Sequence, residues 1–262
     1  MNSVNKTLYI PLYGKAFVSK KGIILHDPIA EYIWAEEGFP LKGKSASKWL
    51  AYYMGMRSAV FDRWLAEKME ADDRGVVLHI GCGMDSRFCR VPPKRNLWFD
   101  IDFPAVIAER KRYYRETERY QMVGADIRDM NWLRQLPGGN AIVILEGVSM
   151  YLRPEELTGL MAAICAHFDK VSVLMDCYTV FAAKASKVKN PINDVGVTQV
   201  YGMDDPRALE GSTGLKFLRE HSMTPEALIC QLQGMERRVF QRLYTGALAK
   251  RLYRLYEYTK SQ

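Results

Sequence analysis

The sequence predicts an α/β fold: a doubly wound, seven-stranded, mostly parallel sheet with an N-terminal helical segment and an inserted lid. Three observations carry this. Short apolar runs alternate with helix-like segments, the rhythm of βαβ units. The first run, in VVLHIGCGMDSR (76–87), stops at a glycine pair. Acidic residues recur where later runs end, at Asp102, Asp126, Glu146 and Asp176. In an open α/β sheet those ends share one crevice, so the acids converge.

The elements follow in order. Residues 15–71 read as a helical cap, with helices over 26–36, after an Asp-Pro start, and over 47–69, where the apolar face is broad. Residues 76–81 form the first strand, and 85–91 a short helical or irregular link ending at Pro92-Pro93. The second strand spans 96–101. A helix over 105–114 is entered at Phe103-Pro104, where proline suits the first turn. A third strand covers 121–125. Pro137-Gly138-Gly139-Asn140 is a turn signal before AIVILE (141–146), a buried-type strand. Glu155 and Glu156 after Pro154 start a helix over 154–167, and VSVLMD (171–176) is another buried strand. The rhythm breaks over about 182–214, where Asn190-Pro191, Gly196, Gly202 and Asp205-Pro206 mark the lid. A strand over 215–221, a helix over 225–246 and a half-exposed terminal strand in LYRLYEY (252–258) complete the pattern. The whole chain, 1–262, reads as a single domain.

Composition narrows the function. The 262 residues have an ordinary apolar share, no run long enough to span a membrane and no signal-peptide pattern. Five cysteines without zinc spacing and four scattered histidines point to a reduced, cytoplasmic protein without a metal. The net charge of +7 admits a nucleic-acid partner. Its main contributors, Arg110-Lys111-Arg112 with Arg115 and Arg119, and residues 237–254, are mixed with acids and lack interleaved aromatic platforms. A solvated helix face explains them better.

The glycine turn and the acid about 20 residues beyond it have the spacing of a nucleotide-type cofactor site. Asp102 suits ribose hydroxyls because an ionised carboxylate only accepts hydrogen bonds. The third glycine of a dinucleotide loop is missing, which disfavours NAD and favours S-adenosylmethionine (SAM). For Asp176 the sequence leaves open a plain helix-capping role. His79, inside the first strand, reads as a buried, hydrogen-bonded histidine rather than a catalytic one.

The runs GCGMDSR, WFDIDFPAVIAERKRYY, GADIRD and ILEGVSMYL, with MDDP (203–206), resemble the leucine carboxyl methyltransferase-like family. Within it, the resemblance is to the bacterial tetracenomycin-type polyketide O-methyltransferase branch, from about Leu8 to the terminus. It implies a Rossmann-like SAM-dependent methyltransferase fold and an O-methyltransferase acting on a carboxylate or phenolic oxygen of a small acceptor. An RNA-modifying methyltransferase and a non-catalytic SAM-binding protein of the same fold are the alternatives. Gly81, Cys82 and Gly83 would pass beneath the methionine part of SAM. Asp102 would hold the ribose, Asp126 and Ile127 the adenine, and Glu146 with Gly147 the amino-acid or ribose side. Lys15 and Arg57 would approach the SAM carboxylate, although a surface lysine is an equal reading of Lys15. Tyr151 and Tyr178 could line the acceptor pocket. Ser86 stands where the family usually has threonine. No catalytic acid or base is assigned, which favours a carboxylate acceptor, already ionised at neutral pH.

Overall fold

The structure, a computed structural model, describes residues 8–38, 41, 43–186, 199–246, 249 and 251–260. Three helices come first: α1 (Tyr9–Lys20), α2 (Pro28–Glu37) and α3 (Lys48–Ala71). Asp27 caps α2 by accepting the Ala30 N–H at 2.9 Å, and Pro28 occupies its first turn. Ser47 caps α3 in the same way through Trp49 N–H. The first helix begins at Tyr9, upstream of the expected start of the cap at residue 15.

Then β1 (Val76–Ile80), α4 (Arg87–Arg90), β2 (Leu97–Asp102), α5 (Pro104–Arg110), β3 (Tyr120–Gly124) and β4 (Asn140–Leu145) lay down the first half of the sheet. The second half comprises α6 (Pro154–His167), β5 (Lys170–Tyr178), α7 (Val180–Ser186), α8 (Glu210–Thr213), β6 (Lys216–His221), α9 (Glu226–Ile229), α10 (Gly234–Tyr244) and β7 (Tyr253–Lys260). The seven strands run in the order β3-β2-β1-β4-β5-β7-β6. The first five pair in parallel, and β7 is antiparallel to both β5 and β6. The strand order reverses beside β1, so a crevice opens at its carboxyl end.

Alternation along the buried strands divides two cores. Val76, Leu78 and Ile80 pack with Leu160, Met161 and Ile164 of α6. Val77, with Ile142, Ile144 and Leu174, packs on the other face against Phe61, Trp64 and Leu65 of α3. The cap helices are therefore one wall of the main core.

Three expectations need correction. The helix expected over 225–246 is two helices, because Gln233 is extended and Gly234 has φ +51°. The terminal strand is not half exposed. It is inserted between β5 and β6, and Leu255, Tyr256, Glu257 and Tyr258 are all buried, leaving β6 at the edge. The expected lid contains the end of α7, a 3-10 turn at Pro206–Leu209 and α8; its residues 187–198 lie outside the described residues.

Candidate functional site

A cavity of about 550 Å³ opens at the carboxyl ends of the parallel strands. That volume is ordinary for a small-molecule site. Lys15, Arg57, Gly81, Cys82, Gly83, Asp102, Asp126, Ile127, Glu146, Gly147, Tyr151 and Tyr178 all border it. The chain thus brings together every residue assigned to the cofactor or the acceptor from the sequence, while Asp176 is buried outside the cavity lining.

The glycine turn forms one wall. Gly81 has φ +65°, and a Cβ there would sit 2.2 Å from Val148 Cγ2, so no side chain fits. Its N–H donates to Ile101 O at 2.7 Å, which ties the turn to β2. Cys82 is buried, and burial pushes its thiol far above the ordinary range, so it is not a nucleophile. Asp102 is held at the mouth by the N–H groups of Gly83 and Phe103, each donating at 2.8 Å. Burial raises the Asp102 carboxyl despite these two bonds. On the neighbouring strand end, Asp126 accepts from the Arg128 backbone at 3.0 Å and from its guanidinium at 2.9 Å, and Arg128 holds that carboxyl below its usual range.

The floor is a continuous ion-pair network. Lys15 is buried and sits 3.1 Å from Asp85, which removes the surface-lysine reading. Arg57 donates to Glu146 at 3.1 Å through Nε, and to Asp176 at 2.8 Å and the Tyr253 hydroxyl at 3.2 Å through Nη1. Arg87 joins Asp62 at 2.6 Å, Asp85 at 3.3 Å and Glu146. Arg90 joins Asp27 at 2.6 Å, Asp62 at 2.7 Å and Asp85 at 2.8 Å. Burial alone would raise Asp85 and Glu146; the Arg87 guanidinium, with Arg90 and Lys15 at Asp85 and Arg57 at Glu146, outweighs it and lowers both carboxyls.

Asp176 is not a helix cap. Its carboxylate accepts the Gly147 N–H at 2.7 Å as well as Arg57, so it fixes the loop after β4. His79 is buried, with Nδ1 3.1 Å from Asp100 and Nε2 3.4 Å from Arg87 Nη1. Asp100 also receives Arg110, the Tyr120 hydroxyl at 2.6 Å and Trp98 Nε1 at 2.8 Å. Arg110 therefore corrects the solvated-face reading of Arg110-Lys111-Arg112: it is fully buried, while its two neighbours are exposed.

Sequence reasoning missed Arg87, Arg90 and Asp62 beneath the cavity and Tyr253 on its wall. The first three lie within five residues of recognised positions, Arg87 directly in MDSR and Asp62 five residues after Arg57. Tyr253 is far away in sequence but pairs directly with Tyr178 across β5 and β7, the two rings 4.8 Å apart.

Residues 5–165 match the family model described as leucine carboxyl methyltransferase. The chain belongs to the leucine carboxyl methyltransferase family. Among similar proteins is the tetracenomycin polyketide synthesis O-methyltransferase TcmP of Streptomyces glaucescens, 27% identical over 264 residues, covering 99% of this chain and 97% of the relative. Another is the S-adenosyl-L-methionine-dependent methyltransferase dpfgK of Gibberella zeae, 27% identical over 244 residues, with 83% and 81% covered. Of the solved structures, magnesium protoporphyrin IX methyltransferase (ChlM) of Synechocystis PCC 6803 with bound S-adenosylhomocysteine (SAH) superposes with a TM-score of 0.54. It is 13% identical, covers 88% of this chain and 93% of its own, and shares the fold. As a member of this family the protein is a SAM-dependent O-methyltransferase. Its residues fit that cofactor: a bare glycine turn, a carboxylate at the ribose spacing and a cavity of sufficient size meet at one strand edge. No helix among the described residues is long and apolar enough to cross a membrane.

Proposed function

We propose that the protein methylates an oxygen of a small, polyketide-like aromatic acceptor, and that SAM lies along the β1–β4 edge of the cavity. The observation that carries this reading is the convergence of Asp102, Asp126 and Glu146 on one cavity that also reaches Tyr151 and Tyr178. Asp102 takes the ribose hydroxyls, and Asp126 with Ile127 takes the adenine. Lys15 and Arg57 face the amino-acid end, with Gly81, Cys82 and Gly83 beneath it and Glu146 and Gly147 beside it. The relative named for tetracenomycin polyketide synthesis supports the acceptor class.

When bound, SAM supplies an activated methyl group on a sulfonium. The chain's work is to align the two ligands and keep water out, and good orientation is worth roughly 7–11 kcal/mol in favourable cases. Both nitrogens of His79 are engaged, by Asp100 and by Arg87. With His79, the histidine lining the cavity among the described residues, held in this way, a carboxylate acceptor is served best, because it is ionised at neutral pH. Tyr151, Tyr178 and Tyr253 offer it an aromatic wall. Within the two basic stretches, Arg112 pairs with Glu109 and Arg237 with Glu226 at the surface, which favours a solvated face over a nucleic-acid surface there.

Calorimetric titration of SAH into the wild type and Asp102→Ala tests the assignment. Micromolar binding to the wild type, weakened at least about tenfold in the variant, is expected from loss of charged hydrogen bonds worth about 1.5–3 kcal/mol. Equal affinities would remove Asp102 from the ribose site, and no binding to the wild type would overturn the cofactor placement.

A further inference from the structure

The floor of the cavity is not electrically balanced. The network beneath it joins four cations, Lys15, Arg57, Arg87 and Arg90, to five carboxylates, of which only Asp62 reaches 15% exposure. The adjoining Asp100–Arg110 pair balances itself. His79 lies between Asp100, 3.1 Å from its Nδ1, and Arg87 Nη1 and Asp85, 3.4 and 3.9 Å from its Nε2; even counted as a cation it would match one carboxylate of the network and leave Asp102 unmatched. Asp102, at the mouth, is held by two backbone N–H groups and no cation within ion-pair distance among the described residues. The walls therefore carry an excess of negative charge in a partly desolvated space, where fields are screened far less than in water.

The two carboxylates with the least compensation are Asp102 and Asp176. Asp176 shares Arg57 with Glu146. In both, burial raises the carboxyl above its ordinary range, the reverse of Asp85 and Glu146, which sit among several guanidiniums.

We propose that this excess makes the site discriminate by charge between the two forms of its cofactor, holding cationic SAM more tightly than neutral SAH, with Asp102 and Asp176 setting the preference. The inference rests on the reading of this cavity as the SAM site. SAM and SAH share adenosine and the amino-acid end and differ by one methyl group and one positive charge. Their affinity ratio therefore reports the potential inside the cavity, while contacts common to both cancel. The bond that forms joins the methyl carbon to the acceptor oxygen, and the bond that breaks is methyl carbon to sulfur. The sulfur keeps the electron pair and becomes a neutral thioether. Transfer thus erases the charge that the site holds, so the by-product is released by the same step that makes it.

The test needs no acceptor. SAM, SAH and sinefungin, which carries an ammonium where SAM carries S-methyl, are titrated calorimetrically into the wild type, Asp176→Asn and Asp102→Asn. One uncompensated charge beside the same low-dielectric cavity predicts that SAM and sinefungin bind the wild type at least about tenfold more tightly than SAH. Each Asn variant removes a charge at nearly constant volume and is expected to cut that preference by threefold or more. This holds even where Asp102→Asn weakens all three ligands through the ribose. Wild-type SAH binding as tight as that of both cations would overturn the proposal. So would a preference that survives in both variants. If none of the three binds the wild type, the cofactor placement itself fails, and this inference with it.

Discussion

Gly81 shows how little latitude single positions have at this site. Its φ of +65° already disfavours any L side chain, and a methyl group there meets Val148 Cγ2 at 2.2 Å. Gly81→Ala is expected to destabilise the protein by about 2 kcal/mol or more, from backbone strain of about 1–3 kcal/mol plus the clash. Adding Val148→Ala relieves the clash and leaves the strain, so urea melts of the double variant recover only part of the loss. Full recovery would show that the left-handed backbone is immaterial. Such a glycine is legible in sequence because a strand that ends in G-x-G has few other solutions. Arg110 was not legible: between Glu109 and Lys111 a buried guanidinium reads like a solvated one. Only tertiary contact with Asp100 on β2 distinguishes it.

At the scale of elements, the site is held by helix ends as much as by strands. Asp27 caps α2, accepts Ser86 Oγ at 2.5 Å and pairs with Arg90 at 2.6 Å, so one carboxylate pins the cap helix to α4 beneath the glycine turn. Asp27→Ala removes a helix cap and one partner of a buried cation. A loss of about 3–5 kcal/mol is expected by analogy with broken buried pairs. A loss below about 1 kcal/mol in urea denaturation would reduce Asp27 to an ordinary cap. The strands were readable because their apolar runs are short, buried on both faces and punctuated by glycine and proline. The α9–α10 break at Gln233-Gly234 was not, because the linker is also tied to a segment some 200 residues earlier, where Gln231 accepts the Ile24 N–H at 2.6 Å. The place of β7 inside the sheet was equally hidden, since Arg254 between Tyr253 and Leu255, and Glu257 between Tyr256 and Tyr258, give the polar interruptions of an edge strand.

Across the whole molecule, the buried carboxylates predict how stability responds to acid. Burial would raise Asp100, but Arg110 and the His79 and Tyr120 hydrogen bonds outweigh it and lower the carboxyl from 3.8 to about 2. Asp85 and Glu146 are displaced in the same direction. For such groups the folded state binds protons less readily than the unfolded chain. Their contribution is fully present above the unfolded value near pH 4 and is lost as pH falls through the lower folded values. A tenfold change in proton affinity is worth roughly 1.4 kcal/mol, so Asp100 alone contributes on the order of 2 kcal/mol. Asp102 and Asp176 act oppositely: their raised carboxyls weaken the fold when ionised, and that penalty is relieved as pH falls through their folded values, which lie above the unfolded ones. The two sets titrate in different windows, so they do not cancel below pH 4. Urea melts of the ligand-free protein are therefore expected to show a steep decline of several kcal/mol between pH 4 and 2. In Asp100→Asn, already destabilised because Arg110 is left unpaired, that decline should be shallower by about 2 kcal/mol. A wild-type profile that stays flat from pH 5 to 2.5 would mean that these carboxylates are not charged in the folded protein. The charge excess inferred for the cavity would then have no source.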